Sequence, residues 1–367
     1  MMISGGLFRR ALPSFSAFGA ISSRGMATKM MPPLKLTLVG LSSVLDYSFA
    51  TSLAKGNVFG SDQVLDVSII DADSKTAGKF EKQLKGMAPI ISNVTTFSST
   101  DMSKALTGAD LVVAGTPGGD LKSAADTFAG FGKAAEGKVD SCCRVFVVGP
   151  KAHTMSLVLS ANMNSHERDF IVALSQAEQN AALNAFAKMT KASPEKIDRL
   201  ALWGGGGDLC FADCSYLRVG EKWALGKLKS DSVASEFAAS ASQAMKGVYT
   251  DSATLSSASA TAIQDYWVGQ PKQWCSLGVA SDESYGIDAD IWYTVPVDCP
   301  GLMFKRVTGL PISPLAAEMM NKSIAALKKE RDMVMSSVPK SFFVETEELR
   351  KAVNFSMLDV VNNSASM

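Results

Sequence analysis

From Leu34 onward the apolar residues fall into short runs, "LKLTLVG", "LDVSIID", "DLVVAG", "RVFVVG" and "RLALW", parted by longer stretches of mixed polarity. A run that is apolar at nearly every position, and not at every second one, reads as a strand covered on both faces. Between the runs, Tyr47 to Lys55 and Lys75 to Met87 carry helical spacing, so strand and helix alternate. This alternation predicts an α/β fold, a doubly wound parallel sheet with helices on both sides.

The second half has a different rhythm. Ser230 to Gln264 is an Ala/Ser-rich stretch read as helix, alanine being the best helix former. "QWCSLGVAS" and "IWYTVPVDC" follow as antiparallel strands around the turn-like "DESYGID". After Pro314 a long helix places Leu315, Met319, Met320, Ile324 and Leu327 near one face. An α+β unit packed on the first is expected. Between the halves, "RLALWGGGGDLCFADC" sets four glycines directly after an apolar run. Glycine there means either backbone that must approach something closely or a position from which a side chain has been lost.

At 367 residues and 47% hydrophobic content the chain has material for about two domains. Its 36 basic and 36 acidic residues balance, so net charge selects neither nucleic acid nor an anionic membrane as partner. No stretch approaches the ~18 apolar residues of a membrane span. The six cysteines, Cys142, Cys143, Cys210, Cys214, Cys275 and Cys299, show no CxxC spacing. With only His153 and His166 beside them, no metal site is expected. They read as buried thiols, Cys210 and Cys214 sharing a helix face at i, i+4. Residues 1–29 carry Arg9, Arg10, Arg24 and Lys29, several serines and no acid, the composition of a mitochondrial transit peptide.

The order of the segments resembles the malate dehydrogenase family, in its cytosolic-type branch. "GNVFGSDQ", "SIIDAD", "VFVVGPKAHT", "LALWGG", "LSSASATA", "CSLGVASDESYGID" and "GLPIS" carry the resemblance from about Leu34 to Val338. It implies a Rossmann-type dinucleotide-binding domain over 34–190 and an α+β lactate/malate dehydrogenase C-terminal domain over 191–338. The family's known end leaves 339–367 as an extension, in which Phe342, Phe343 and Val344 precede an amphipathic stretch, a candidate docking segment.

A hydroxyacid dehydrogenase needs a base with a pKa near neutrality, which histidine supplies, and a carboxylate to orient it. It also needs arginines for the substrate carboxylates. By the resemblance the histidine position is Gly206 and the partner aspartate position is Glu178 in "QAEQNA". The arginine positions fall on Gly118, Gly119 and about Ala124 in "GTPGGDLKSAAD", and on Ala181; Lys122 is the one cation of that loop segment. In the cofactor turn Gly40 remains, Ser43 stands for the second glycine, and Asp46 adds a negative charge at a helix start. Asp71 keeps the ribose position, Gly115 at the end of "DLVVAG" is a further cofactor-side candidate, and Ser256 and Ser257 match a substrate-side serine pair.

These replacements imply a malate dehydrogenase-like protein without the family's reaction, kept as a structural or accessory subunit of a mitochondrial assembly, in the matrix or on the matrix side of the inner membrane. Catalytic residues and metal are then none. NAD(H) stays open as a cofactor through Gly40, Asp71 and Gly115. Two alternatives stand beside this reading: a divergent NAD-dependent malate dehydrogenase, with His153 as the candidate base, and an NAD(H)-binding regulator without turnover. The family's homodimer would place Tyr47 to Lys55 and Ser230 to Gln264 at its interface.

Overall fold

A computed structural model describes residues 32–40, 44–71, 73–87, 90–220, 222–223 and 231–342. Residues 1–29, for which a transit peptide is expected, Ser43 and the stretch beyond Phe342 lie outside the described residues. The first half runs β1 (Leu34–Val39), α1 (Tyr47–Ala54), β2 (Leu65–Ile70), α2 (Ser74–Met87), β3 (Ile91–Phe97), α3 (Met102–Leu106), β4 (Leu111–Gly115), α4 (Leu121–Ala135), β5 (Arg144–Val148), α5 (Ala152–Ala161), β6 (Ile171–Leu174) and α6 (Gln176–Thr190). The second half runs β7 (Ile197–Asp198), β8 (Ala201–Gly204), β9 (Cys210–Asp213), β10 (Arg218–Val219), β11 (Lys222–Trp223), α7 (Asp231–Met245), α8 (Ser252–Val268), β12 (Gln270–Ala280), β13 (Trp292–Cys299), β14 (Lys305–Arg306) and α9 (Pro314–Met333).

The main sheet has the order β3-β2-β1-β4-β5-β6-β12-β13-β8-β9, with β14 on β13. Its first six strands are parallel, and β12, β13, β8 and β9 join antiparallel. A short sheet of β11, β10 and β7 lies apart. The parallel part has the order of the doubly wound dinucleotide-binding fold, whose ligand crevice opens where the order reverses, between β1 and β4. Every residue of β4 is buried, as its unbroken apolar run requires.

The two halves share one sheet because β6 pairs with β12, Leu277 opposite Leu174. Trp292 of β13 reinforces the join by donating its indole N–H to the Ile171 carbonyl at 2.9 Å. The register of β12 on β13 shifts between Gln270 and Cys275. Next to the short β6–β12 pairing, Gln179 of α6 bonds the β12 backbone directly. It accepts from the Ser276 amide at 2.8 Å and donates to the Trp274 carbonyl at 3.1 Å.

Several expectations change in detail. The Ser230 to Gln264 helix is two helices: Gly247, at φ +77°, ends the first, and Asp251 caps the second through the Ala253 and Thr254 amides. Asp251 at an N-cap accounts for a new start that alanine content cannot reveal. "RLALW" forms β8, which is antiparallel to its neighbours. β3 and β6 were not among the apolar runs; β3 is a partly exposed edge strand and β6 has only four residues. Cys142 is exposed, so the thiols are not all buried. Cys210 begins β9 and Cys214 follows it, so the pair sits on a strand and not on a helix.

At the β1/β4 crevice the backbones at the two strand ends touch. A Cβ added to Gly115 would lie 2.5 Å from the Gly40 carbonyl oxygen and 3.1 Å from a Val44 methyl. Overpacking against backbone costs about 1–3 kcal/mol. Gly115→Ala is therefore expected to lower unfolding free energy by that amount in urea denaturation, and a neutral result would show that the strands can part.

Candidate functional site

Glu178 sits in the first turn of α6 and is fully buried. Its Oε1 accepts the Gly207 amide at 3.0 Å and the Tyr249 hydroxyl, both from the second half of the chain. Its Oε2 is buried without a hydrogen-bond partner among the described residues. Burial raises the Glu178 pKa, and the bonds from Tyr249 and Gly207 only partly offset that. The same burial, with the neighbouring carboxylate, lifts the Tyr249 phenol well above its ordinary range. Cys210 is raised likewise, by burial and by Glu178.

The glycines beside this carboxylate make a tight turn. The Gly205 amide donates to the Leu209 carbonyl at 3.1 Å, and Gly204 adopts φ +123° directly against that carbonyl. Gly206 is extended at φ −82° and precedes the helical turn Gly207–Leu209. Structure thus brings Gly206 and Glu178 together, as the family pattern places its base and carboxylate. Tyr249 completes the group, and sequence reasoning missed it; it lies 71 residues beyond Glu178 in a short connection with no motif.

Both imidazoles are elsewhere. His153 of α5 is enclosed in the core, its Nε2 2.7 Å from Thr294 Oγ1, which in turn lies 2.8 Å from Ser175 Oγ. Burial pushes its pKa down to about 4. His166 is buried and donates from Nε2 to the Cys143 carbonyl at 3.0 Å, and burial lowers its pKa too.

The segment expected to carry arginines is a short connection, Thr116 to Asp120, between β4 and α4. Gly118 and Gly119 face open space, and Asp120 caps α4 by accepting the Ser123 amide at 3.0 Å. Ala124 is buried within α4, Lys122 is exposed in its first turn, and Ala181 packs along α6 between core clusters. These positions hold no guanidinium group.

At the cofactor end, Gly40 and Gly115 meet across the crevice and Val44 packs against Gly115 and Gly149. Asp46 occupies the N-terminus of α1, accepting the Ser48 amide at 2.9 Å and the Ser48 hydroxyl at 2.7 Å. A helix N-terminus attracts anions, and here the chain supplies its own. Burial acts to raise the Asp46 pKa, and hydrogen bonds from Ser48, Ser256 and Ser252 outweigh it, holding the carboxyl below its ordinary value. Ser256 is fully buried and accepts the Asp46 amide at 2.7 Å, while Ser257 is exposed. Asp71 is buried after β2 and accepts the Asp73 amide at 3.0 Å. Between these ends, Gly149, Leu174, Ala177, Leu255 and Ala258 border a recess of about 10 Å³, room for about one water molecule.

A doubly wound parallel sheet continued by antiparallel strands, with a carboxylate facing a glycine turn, defines a dehydrogenase fold of the lactate/malate type. The pattern of the lactate/malate dehydrogenase alpha/beta C-terminal domain matches residues 184–338. Malate dehydrogenase 3, cytoplasmic, of Arabidopsis thaliana is 27% identical over 328 residues, covering 83% of this chain and 96% of its own. The malate dehydrogenase of Naegleria fowleri superposes with a TM-score of 0.75 at 22% identity, over 84% of this chain and all of its own. Trichomonas vaginalis lactate dehydrogenase, solved with NADH and oxamate, gives 0.75 at 16% identity, over 83% of this chain and 98% of its own. The chain carries the lactate/malate dehydrogenase C-terminal domain pattern over residues 184–338 and is malate dehydrogenase-like over most of its length.

The His153 environment has a pH consequence. The unfolded imidazole takes up its proton near 6.5, while the folded one resists until about 4. Its stabilising contribution is therefore whole above pH 6.5 and is lost as pH falls toward 4. His153→Gln is expected to flatten the stability profile in that window, measured by urea midpoints at stepped pH; an unchanged slope would place the acid sensitivity elsewhere.

Proposed function

We propose that this chain is a catalytically inactive, malate dehydrogenase-like protein of mitochondria that serves as a structural or accessory subunit of a larger assembly. One observation carries the reading. The carboxylate at the family's partner position is bonded to a phenol and a backbone amide, and the chain's two imidazoles are committed to Thr294 and to the Cys143 carbonyl. Among the described residues Glu178 meets no imidazole. A positioned acid/base is worth about 10²- to 10⁴-fold in rate. Each charge-assisted bond to substrate is worth roughly 1.5–3 kcal/mol, and the positions for arginine hold glycine and alanine.

The residues at the cofactor crevice fit a dinucleotide poorly. A pyrophosphate at the start of α1 would meet the Asp46 carboxylate, and Val44 methyls fill the space against Gly115 and Gly149. No step is routed through NAD for that reason. Asp71 favours the second reading, a regulator that binds NAD(H) without turnover. So do relatives solved with NADH, among them the Plasmodium falciparum malate dehydrogenase, which has a TM-score of 0.67 at 14% identity over 83% of this chain and all of its own. The accessory role rests on the missing chemistry and on the Arg-rich, acid-free leader.

Calorimetric titration of the full chain with NADH and NAD, followed by malate and oxaloacetate turnover on the same sample, tests this. Neither binding nor turnover is expected. Binding alone would make the protein a sensor, and turnover would overturn the reading. A fusion of residues 1–29 to a fluorescent protein is expected to enter mitochondria, and a diffuse cytosolic signal would remove the address.

A further inference from the structure

Position 206 is glycine for a reason that the Glu178 bonds alone do not state. A Cβ built on Gly206 would overlap the Tyr249 hydroxyl oxygen and lie 3.2 Å from its Cζ, while standing 3.4 Å from Glu178 Oε1. The direction that any side chain at 206 must take toward the buried carboxylate is the space in which the phenol oxygen sits. Tyr249 reaches it from the connection between α7 and α8, held by Val248 in the core and by the Thr250 hydroxyl on the Gly247 carbonyl at 2.6 Å.

We propose that Gly206 and Tyr249 are a compensated pair, in which the tyrosine hydroxyl has taken over the donor role to Glu178 and closes the cleft from within. The ligand class this excludes is any small molecule that must donate a hydrogen bond to that carboxylate. A carboxylate buried without donors is costly. Loss of a side chain at 206 would leave Oε1 with the Gly207 amide alone, and the phenol supplies the second bond without entering through the solvent side. The exchange also ties α6 to the α7–α8 connection through one hydrogen bond, so the former ligand space becomes a joint between the two halves of the chain. A side chain at 206 and the hydroxyl at 249 therefore exclude each other.

This inference rests on the reading above that the pocket no longer serves a hydroxyacid, and its test reads stability, so the two can fail separately. The nearest atom to the added Cβ is the phenol oxygen, and the ring carbon behind it, at 3.2 Å, needs to give by only a few tenths of an ångström. Gly206→Ala in the native chain is expected to lower the melting temperature by several degrees or prevent folding. In the Tyr249→Phe background, which lacks only that oxygen, the same change is expected to cost little beyond Tyr249→Phe itself. Tyr249→Leu serves as a second background without the oxygen if Tyr249→Phe does not fold. Equal losses from Gly206→Ala in the native and oxygen-free backgrounds would overturn the proposal. Dehydrogenase turnover by the native chain would overturn the inactive reading and leave the coupling measurement to stand or fall alone.

Discussion

A carboxylate with no exposed surface is the constraint to which the middle of this molecule answers. Taking Glu178 out of water is costly unless hydrogen bonds replace the solvent. The replacements come from two places far apart in sequence, the Gly207 amide of the glycine turn and the Tyr249 hydroxyl of the α7–α8 connection. Meeting both requires α6 to start where it does, beside β12, where Gln179 next in sequence bonds the backbone of that strand at Trp274 and Ser276. One helical turn thus joins the parallel half of the sheet to the antiparallel half.

Around that joint the fold is kept, although glycine and alanine stand where the family resemblance places histidine and arginine. The core depends on apolar strands such as β4 and β5 and on indole and phenol anchors such as Trp292 and Tyr266, none of which needs a ligand. Site and fold are separable in this sense. The helix start that suits an anion is capped by Asp46, and that cap is itself locked to α8 by Ser256. Glycines at Gly40 and Gly115 bring two backbones into contact, which serves packing as well as it would serve a cofactor. The connection from β4 to α4, Thr116 to Asp120, is five residues long and carries no cationic side chain.

Much of this was legible in the chain order. The apolar runs named β1, β2, β4, β5 and β8, and the alternation with helices implied a parallel sheet, because a strand covered on both faces has no polar side to show. The antiparallel pair β12 and β13 was legible from its runs around "DESYGID". Edge strand β3 was not, since only one of its seven positions is buried, and the break between α7 and α8 was hidden because alanine content gives propensity and no punctuation.

The sequence by itself determined that no histidine follows Trp203, that glycine and alanine stand in the arginine positions, and that the strands are of the buried kind; these are statements about which residues exist at each place. Only the tertiary structure decided what became of the space. Tyr249 and Glu178 are 71 residues apart, and no local pattern relates them. His153 looked available as a base until the sheet closed over it, since burial is set by what packs on a residue and not by its neighbours in the chain. Composition fixes the inventory of groups, but hydrogen-bond partners and desolvation arise only when distant segments meet.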